Sequence, residues 1–225
     1  MTKNSEFLQD VENGLNQTAK TLPSQYFYDA IGDRLFQDIM AMPEYYLTNS
    51  EAEIFEKQTK EIISSFEMDK EVSFELIELG AGDGSKTQHL LKELLEENYN
   101  FTYLPVDISQ NALDSLENRI SKILPNLKIE TKQGEYFQVL EDLFNDSQPK
   151  IVLFIGSNLG NMEDEISENF ILQLGKELQP KDKVLLGLDL IKSEAIVLPA
   201  YHDAAGITRD FNLNLLHRMN EELGA

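Results

Sequence analysis

The chain predicts an α/β fold, a parallel sheet with helices on both faces, preceded by a helical lead and followed by a helical tail. Short apolar runs recur through the middle of the chain, at residues 74–77, 101–106, 127–131, 150–155 and 183–190. Segments with apolar residues at three- and four-residue spacing separate them, so strands alternate with amphipathic helices. A glycine-rich loop, Glu78-Leu79-Gly80-Ala81-Gly82-Asp83-Gly84, follows the first run directly. Repeated βα units imply right-handed crossovers, and ligands in such sheets sit at the carboxyl ends of the strands.

Each element has its own local reason. Residues 1–70 read as helical: an opening amphipathic piece, then 24–42, then a helix from about 50 to 66. Thr48-Asn49-Ser50-Glu51 offers a capping box for the last of these, and Pro43 stops the one before it. The first strand leads through the glycine loop into a helix over 85–99. The second strand ends in Asp107, and the helix over 109–124 places Ala112, Leu113, Leu116, Ile120 and Ile123 on one face. A third strand runs into Gln133-Gly134-Glu135, and a helix is expected over 136–144. The run 150–155 is a fully buried fourth strand, and the helix over 163–178 ends before Pro180. The fifth strand covers 183–190. The tail after Leu198 turns helical, with Thr208 as its cap and Phe211, Leu215 and Met219 on one side. Five positions fall at carboxyl ends of strands: the glycine loop, Asp107, Gly134-Glu135, Gly156-Ser157 and Asp189.

Composition narrows the function classes. A chain of 225 residues holds one large domain, or one with a smaller appendage. Its 19 Lys and Arg stand against 40 acids, and the net charge of -21 disfavours a nucleic-acid partner. The acids are interspersed with Lys and apolar residues, as on solvated helix faces. Without cysteine there is no disulfide, thiolate catalysis or cysteine metal site. His89, His202 and His217 show no spacing suited to a metal or a catalytic dyad. The polar N-terminus lacks an apolar signal core, and no apolar run approaches membrane-spanning length. The default expectation is a cytoplasmic protein without a membrane or nucleic-acid partner.

The loop narrows the ligand. A phosphate-gripping loop needs Gly directly before Lys-Ser/Thr, but Ser85 separates Gly84 from Lys86-Thr87. A dinucleotide loop wants G-x-G-x-x-G, whereas this one runs G-x-G-x-G and carries Glu78 and Asp83, which would repel a pyrophosphate. Those carboxylates suit a ligand whose tail is a sulfonium and an ammonium. S-adenosylmethionine is such a ligand, and E-x-G-x-G-x-G resembles the first motif of class I methyltransferases. Taken alone, the loop is also compatible with a structural turn or another nucleotide. Asp107 lies about 20 residues beyond the loop, where a carboxylate grips ribose hydroxyls; the alternative is a helix cap.

The flanks carry a second resemblance. Tyr26-Phe27-Tyr28-Asp29-Ala30-Ile31-Gly32 and Pro43-Glu44-Tyr45-Tyr46-Leu47-Thr48-Asn49-Ser50-Glu51 resemble the helical lead of the histidine-specific methyltransferase family, whose best-known members convert histidine to hercynine in the ergothioneine pathway. Phe154-Ile155-Gly156-Ser157-Asn158-Leu159-Gly160-Asn161, Leu186-Gly187-Leu188-Asp189-Leu190 and Ala200-Tyr201-His202-Asp203-Ala204-Ala205-Gly206-Ile207-Thr208 continue the likeness, which covers nearly the whole chain from Leu22.

The resemblance implies a class I methyltransferase Rossmann-like core over residues 71–197, a helical lead over 1–70 contributing to a substrate lobe, and the start of that second lobe over 198–225. It places Gly80, Gly82, Gly84, Lys86 and Asp107 at S-adenosylmethionine, where the loop pattern already sets Glu78, with Glu135 and Tyr136 in the position of an Asp-Phe pair facing adenine. Gly156, Asn161, Tyr28 and Tyr201 would hold the amino-acid substrate, Tyr45 would face the imidazole, and Tyr28 is the candidate to orient the amine. Family members continue for roughly another third of their length, so a fragment or a natural short form is expected. Its sheet would expose an unpaired edge that invites a homodimer.

Residue chemistry supports the same reaction. Methyl transfer to a neutral amine needs no metal and no covalent intermediate, and positioning supplies much of the acceleration. Tyr hydroxyls and Asn amides can fix a zwitterionic amino acid while leaving its amine able to react. Each Tyr is equally compatible with a core position whose hydroxyl is satisfied, and Asn161 with a turn or cap. The resemblance therefore implies methylation of the histidine α-amino group. The alternatives are another amino acid or amine as acceptor, a non-catalytic S-adenosylmethionine-binding module, and more distantly a nicotinamide dehydrogenase.

Overall fold

The computed structural model describes residues 3–136, 139 and 147–224. In chain order the described elements are α1 (Lys3–Leu15), a 3-10 helix (Ser24–Phe27), α2 (Ala30–Met40), α3 (Tyr46–Lys57), α4 (Thr59–Phe66), β1 (Phe74–Leu79), α5 (Gln88–Glu96), β2 (Phe101–Asp107), α6 (Gln110–Ile123), β3 (Lys128–Ile129), β4 (Lys132–Gln133), β5 (Lys150–Phe154), a second 3-10 helix (Asn158–Asn161), α7 (Asp164–Glu177), β6 (Lys183–Leu186), α8 (Glu194–Tyr201) and α9 (Ile207–Leu223). They divide into two compact units: Leu47–Ile191, and Met1–Tyr46 with Lys192–Ala225.

Alternation along the strands builds the layers of the α/β unit. All strand pairs are parallel, in the order β3-β2-β1-β5-β6, with β4 also on β2. Leu76, Tyr103, Ile151 and Leu153 point to one face, where they pack with Phe55 of α3, Ile63 and Phe66 of α4, Leu90 and Leu94 of α5, and Leu116 and Ile120 of α6. Their neighbours Ile77, Leu104, Val106, Val152 and Phe154 point to the other, against Phe170 and Leu174 of α7. Successive strand residues face opposite sides, so runs apolar at every position must be covered on both. The α/β class and the parallel sheet read from the sequence are found.

Several boundaries differ for physical reasons. The third strand is two short pieces, β3 and β4, each pairing with β2. The fifth stops at Leu186. Gly187 still donates its N–H to Phe154 O at 2.9 Å and accepts from Ser157 N–H at 3.1 Å, and the residues after it are exposed. Asp189 is therefore exposed beyond the strand and not at its end. The helix expected from 50 to 66 is two helices, α3 and α4, with the change of direction at Gln58 (φ −120°, ψ 14°). Thr48–Glu51 is no capping box, because α3 begins earlier, at Tyr46. The helix after the glycine loop starts at Gln88, preceded by turns over 85–87. The helix expected over 136–144 lies mostly outside the described residues.

In the helical unit, Phe7, Val11, Tyr26, Leu215 and Met219 form one cluster, and Ile39, Met42 and Phe211 another. Tyr26 donates its hydroxyl to Asp10 at 2.7 Å, and Arg218 donates to Tyr26 O at 2.9 Å. The single helix expected over 24–42 breaks at Tyr28 and Asp29. The Asp29 carboxylate accepts from Ile31 N–H at 3.1 Å and Gly32 N–H at 2.7 Å, starting a new helix there. Asp203, not Thr208, caps the last helix, accepting from Ile207 and Thr208 N–H at 2.9 Å each. Among the described residues no helix is long and apolar enough to cross a membrane.

Candidate active site

The glycine loop begins where β1 ends, and the backbone of β2 holds it. Gly80 and Ala81 both donate to Val106 O, at 2.8 and 3.1 Å. Gly80 has φ 71°, in the left-handed region, and a Cβ there would lie 2.6 Å from the Tyr136 hydroxyl and 2.7 Å from Asn158 Nδ2. Only glycine meets both demands. By contrast a Cβ on Gly82 would meet nothing within 4 Å, so the loop faces open space there. On the outer side Arg119 of α6 clamps Asp83 O through Nε at 3.1 Å and Nη2 at 2.8 Å.

Glu78 lies beneath this loop and does not face the space above it. It is 2% exposed, and its two oxygens accept from Thr87 Oγ1 at 2.6 Å and from the Tyr103 hydroxyl. Burial pushes its carboxyl up to about 7, against the lowering by those two hydroxyls and the Lys86 charge. Tyr103 shares the face of Leu76 and Glu78, which is why its hydroxyl reaches the carboxylate.

Asp107 ends β2 and ties the second strand to the loop. Oδ2 accepts from Gly82 N–H at 3.0 Å and Oδ1 from Ser109 N–H at 2.9 Å. Burial raises its pKa, and the backbone N–H groups of Ser109 and Gly82 pull it back. The cap of α6 is Ser109, which accepts from Ala112 N–H at 3.2 Å, so Asp107 is not that helix's cap. Beyond it, Gly134 donates to Asp107 O at 3.1 Å, keeping Glu135 and Tyr136 beside the end of β2. The Tyr136 ring packs edge-on to Phe154, with centroids 5.3 Å apart.

The end of β5 carries a second cluster. Gly156 turns at φ 77° and Ser157 at 55°, and Asn161 is exposed on the short helix that follows. Gly156 N–H donates to Glu51 Oε1 at 2.8 Å, while the other Glu51 oxygen pairs with Lys86 Nζ from the glycine loop. A Cβ on Gly156 would lie 3.6 Å from both Lys86 Nζ and Asn158 Nδ2. Residues expected separately at cofactor and substrate therefore adjoin within this unit: Gly80, Lys86, Tyr136 and Gly156. Glu51 and Asn158 join them unforeseen. The sequence placed Glu51 in a capping box, and only its helix position, facing the sheet, could have hinted otherwise.

In the helical unit the Tyr45 and Tyr201 rings meet edge to face, 5.8 Å apart, and Tyr201 is half exposed. Tyr28 is edge-on to Phe36 and Phe211 at 5.7 and 5.8 Å, in the cluster that Tyr45 also borders.

Comparison with known proteins gives the arrangement its family. Residues 7–225 match the family described as histidine-specific, S-adenosylmethionine-dependent methyltransferases. The chain belongs to that family. It is 36% identical over 217 residues to a histidine N-alpha-methyltransferase of Mycolicibacterium smegmatis and 34% identical to that of Mycobacterium tuberculosis. In both cases 96% of this chain aligns, and the chain spans 66% of the relative's length. A Methanococcus maripaludis protein described as an S-adenosylmethionine-dependent methyltransferase has a similar fold, with TM-score 0.50 at 16% identity over 92% of this chain and 87% of that one.

The family's cofactor suits the donor set at the sheet end. Backbone turns free of side chains leave room beside Gly82, the Asp107 carboxylate stands next to that room, and the Tyr136 hydroxyl adjoins Gly80. Lys86 and Glu51 add one charge of each sign, matching a zwitterionic tail. A pyrophosphate, bearing only negative charge, would find no such match.

Proposed function

We propose that this chain takes part in S-adenosylmethionine-dependent methylation of the α-amino group of histidine, giving N-trimethylhistidine. The observation that carries the reading is the bond from Gly82 N–H to Asp107 Oδ2, 3.0 Å, which couples glycine loop and acid in a chain matching this family over residues 7–225. In this reading residues 71–197 form the cofactor-binding core, joined by α3 and α4 of the lead, and the rest of 1–70 with 198–225 serves the acceptor.

When bound, the cofactor supplies an electrophilic methyl group on a sulfonium. The chain's own residues bind and orient. Gly80, Gly82 and Gly84 present backbone without side-chain obstruction, and Asp107 accepts from the ribose hydroxyls with the lone pairs its two amide donors leave. Glu135 accepts from the adenine amine and Tyr136 lies against the ring. Glu78 is assigned a different part from that expected: it braces the loop through Thr87 and Tyr103, and the backbone above it makes the contact. In the α/β unit, Gly156 and Asn161 are the acceptor-binding candidates. In the helical unit they are Tyr45 and Tyr201, whose rings already touch, and Tyr28, which would orient the amine. None of these groups carries a full charge, so each can hold an amino acid without holding a proton on its amine. Positioning of this kind is the main catalytic resource of a reaction without metal or covalent intermediate.

The test is incubation of the chain with S-adenosylmethionine and histidine, read by mass spectrometry. Histidine gaining one, two and three methyl groups supports the proposal. Cofactor binding without methylation of histidine, in a panel that includes other amino acids, would leave a binding module or another acceptor.

A further inference from the structure

Among the acids around the glycine loop, two have both oxygens committed to fixed partners: Glu78 is buried with both taken by hydroxyls, and Asp107 accepts from backbone amides through each of its oxygens. Asp83 accepts from Ser85 N–H through Oδ1 at 2.9 Å, and among the described residues its side chain has no ion-pair partner to turn to a ligand carboxylate. Glu51 differs. One of its oxygens is fixed by Gly156 N–H, but the other is held by the ammonium of Lys86, a flexible side chain. The two side chains are 15% and 21% exposed, enough to be reached by a ligand at the sheet end.

Space for this carboxylate is built into the fold. A Cβ on Gly187 would collide with Glu51 Oε1 and would lie 3.0 Å from Ile155 Cα. The carboxylate therefore occupies a niche at the ends of β5 and β6 that any side chain at Gly187 would close. Lys86, two residues after the glycine loop, pairs with its other oxygen.

We propose that Glu51 receives the α-ammonium of the cofactor's amino-acid tail, while Lys86 turns to the tail's α-carboxylate. The inference rests on the cofactor reading above. An ammonium and a carboxylate on one carbon insert into a Lys–Glu pair by exchange: the two protein charges part, each meets its opposite on the ligand, and no charge is left unpaired. The internal pair keeps both groups satisfied until then. Glu78, which the loop pattern suggests for the ammonium, is kept from it by its burial and its two hydroxyl partners.

Calorimetric titration with two probes tests this. S-adenosylhomocysteine carries the tail, and 5′-methylthioadenosine has the same nucleoside without it. Glu51→Gln keeps an acceptor for Gly156 N–H but loses the charge, so it is expected to weaken S-adenosylhomocysteine by about 10- to 100-fold, the range of a charge-assisted hydrogen bond, and to leave methylthioadenosine unchanged. The paired reversal Glu51→Lys with Lys86→Glu restores an internal ion pair and should not restore S-adenosylhomocysteine affinity. Equal loss of both probes in Glu51→Gln, or recovery of tail binding in the reversal, would overturn the proposal in favour of a bracing role. Failure of the unsubstituted protein to bind either probe would overturn the cofactor reading itself. Binding of methylthioadenosine with no gain from the tail would overturn only the assignment of Glu51 and Lys86.

Discussion

The two halves of the sheet's carboxyl end are built in opposite ways. On the β1–β2 side, contacts are local and largely backbone: Gly80 and Ala81 donate to Val106 O, Gly82 to Asp107, and Arg119 reaches back to Asp83 O. On the β5–β6 side, the decisive contact spans 105 residues, from Gly156 N–H to a carboxylate on α3, and its other oxygen pairs with a lysine of the loop. On the cofactor reading proposed above, the first side would seat the nucleoside through fixed backbone bonds, and the second would offer an ion pair to a charged tail.

Substitutions can separate the halves. The largest effect is expected from Gly80→Ala, which places a methyl group 2.6 Å from the Tyr136 hydroxyl on a backbone at φ 71°. A strained left-handed residue and the collision together cost on the order of 1–3 kcal/mol or more, so S-adenosylhomocysteine affinity should fall about 100-fold and methylthioadenosine affinity with it. Asp107→Asn comes next. It keeps the shape but loses the charged acceptor, and both probes should weaken about 10- to 30-fold by calorimetry, since the loss falls on the ribose they share. Equal affinity for both probes before and after the change would remove Asp107 from the seat.

Gly187→Ala breaks the other half. Its methyl group displaces the Glu51 carboxylate, and about a tenfold loss confined to the tail-bearing probe is expected. A loss shared with methylthioadenosine would show that the halves are not separable.

The smallest effect on affinity belongs to Glu78→Gln, and it shows best in the dependence of stability on pH. Burial raises the Glu78 carboxyl on folding from its ordinary 4.5 to about 7, so the folded state holds a proton that the unfolded state releases in that window. Its contribution is full below the unfolded pKa and is lost as pH climbs towards 7, when a charge must be carried in the core. Thermal melts should therefore show the variant gaining on the parent between pH 5 and pH 8, by about 1–2 kcal/mol. A constant difference across that range would mean that the buried carboxylate does not titrate there.

The same contrast explains what was legible in the sequence. The α/β class, the parallel sheet, the glycine loop and its distance from Asp107 are expressed by residues near one another in the chain. So is the burial of Phe211, Leu215 and Met219 along one face of α9. Features set by distant partners were misread. Glu51 matched a capping pattern because that pattern is four residues long, whereas its partners are Gly156 and Lys86. The loop motif does not reveal that Tyr103, a residue of the next strand, donates its hydroxyl to Glu78. The fifth strand reads to residue 190 because Leu188 and Leu190 are apolar, yet they are 55% and 77% exposed beyond Gly187. For Tyr28, Tyr45 and Tyr201 sequence spacing held no information on their ring contacts, which depend on how α2, α8 and α9 pack.

The most direct test of the account is calorimetric titration of the unsubstituted chain with S-adenosylhomocysteine. One-site binding, stronger than that of methylthioadenosine, is the result expected if a rigid nucleoside seat and an exchangeable ion pair lie together at the end of this sheet. No heat of binding from a protein shown by circular dichroism and cooperative melting to be folded would contradict it.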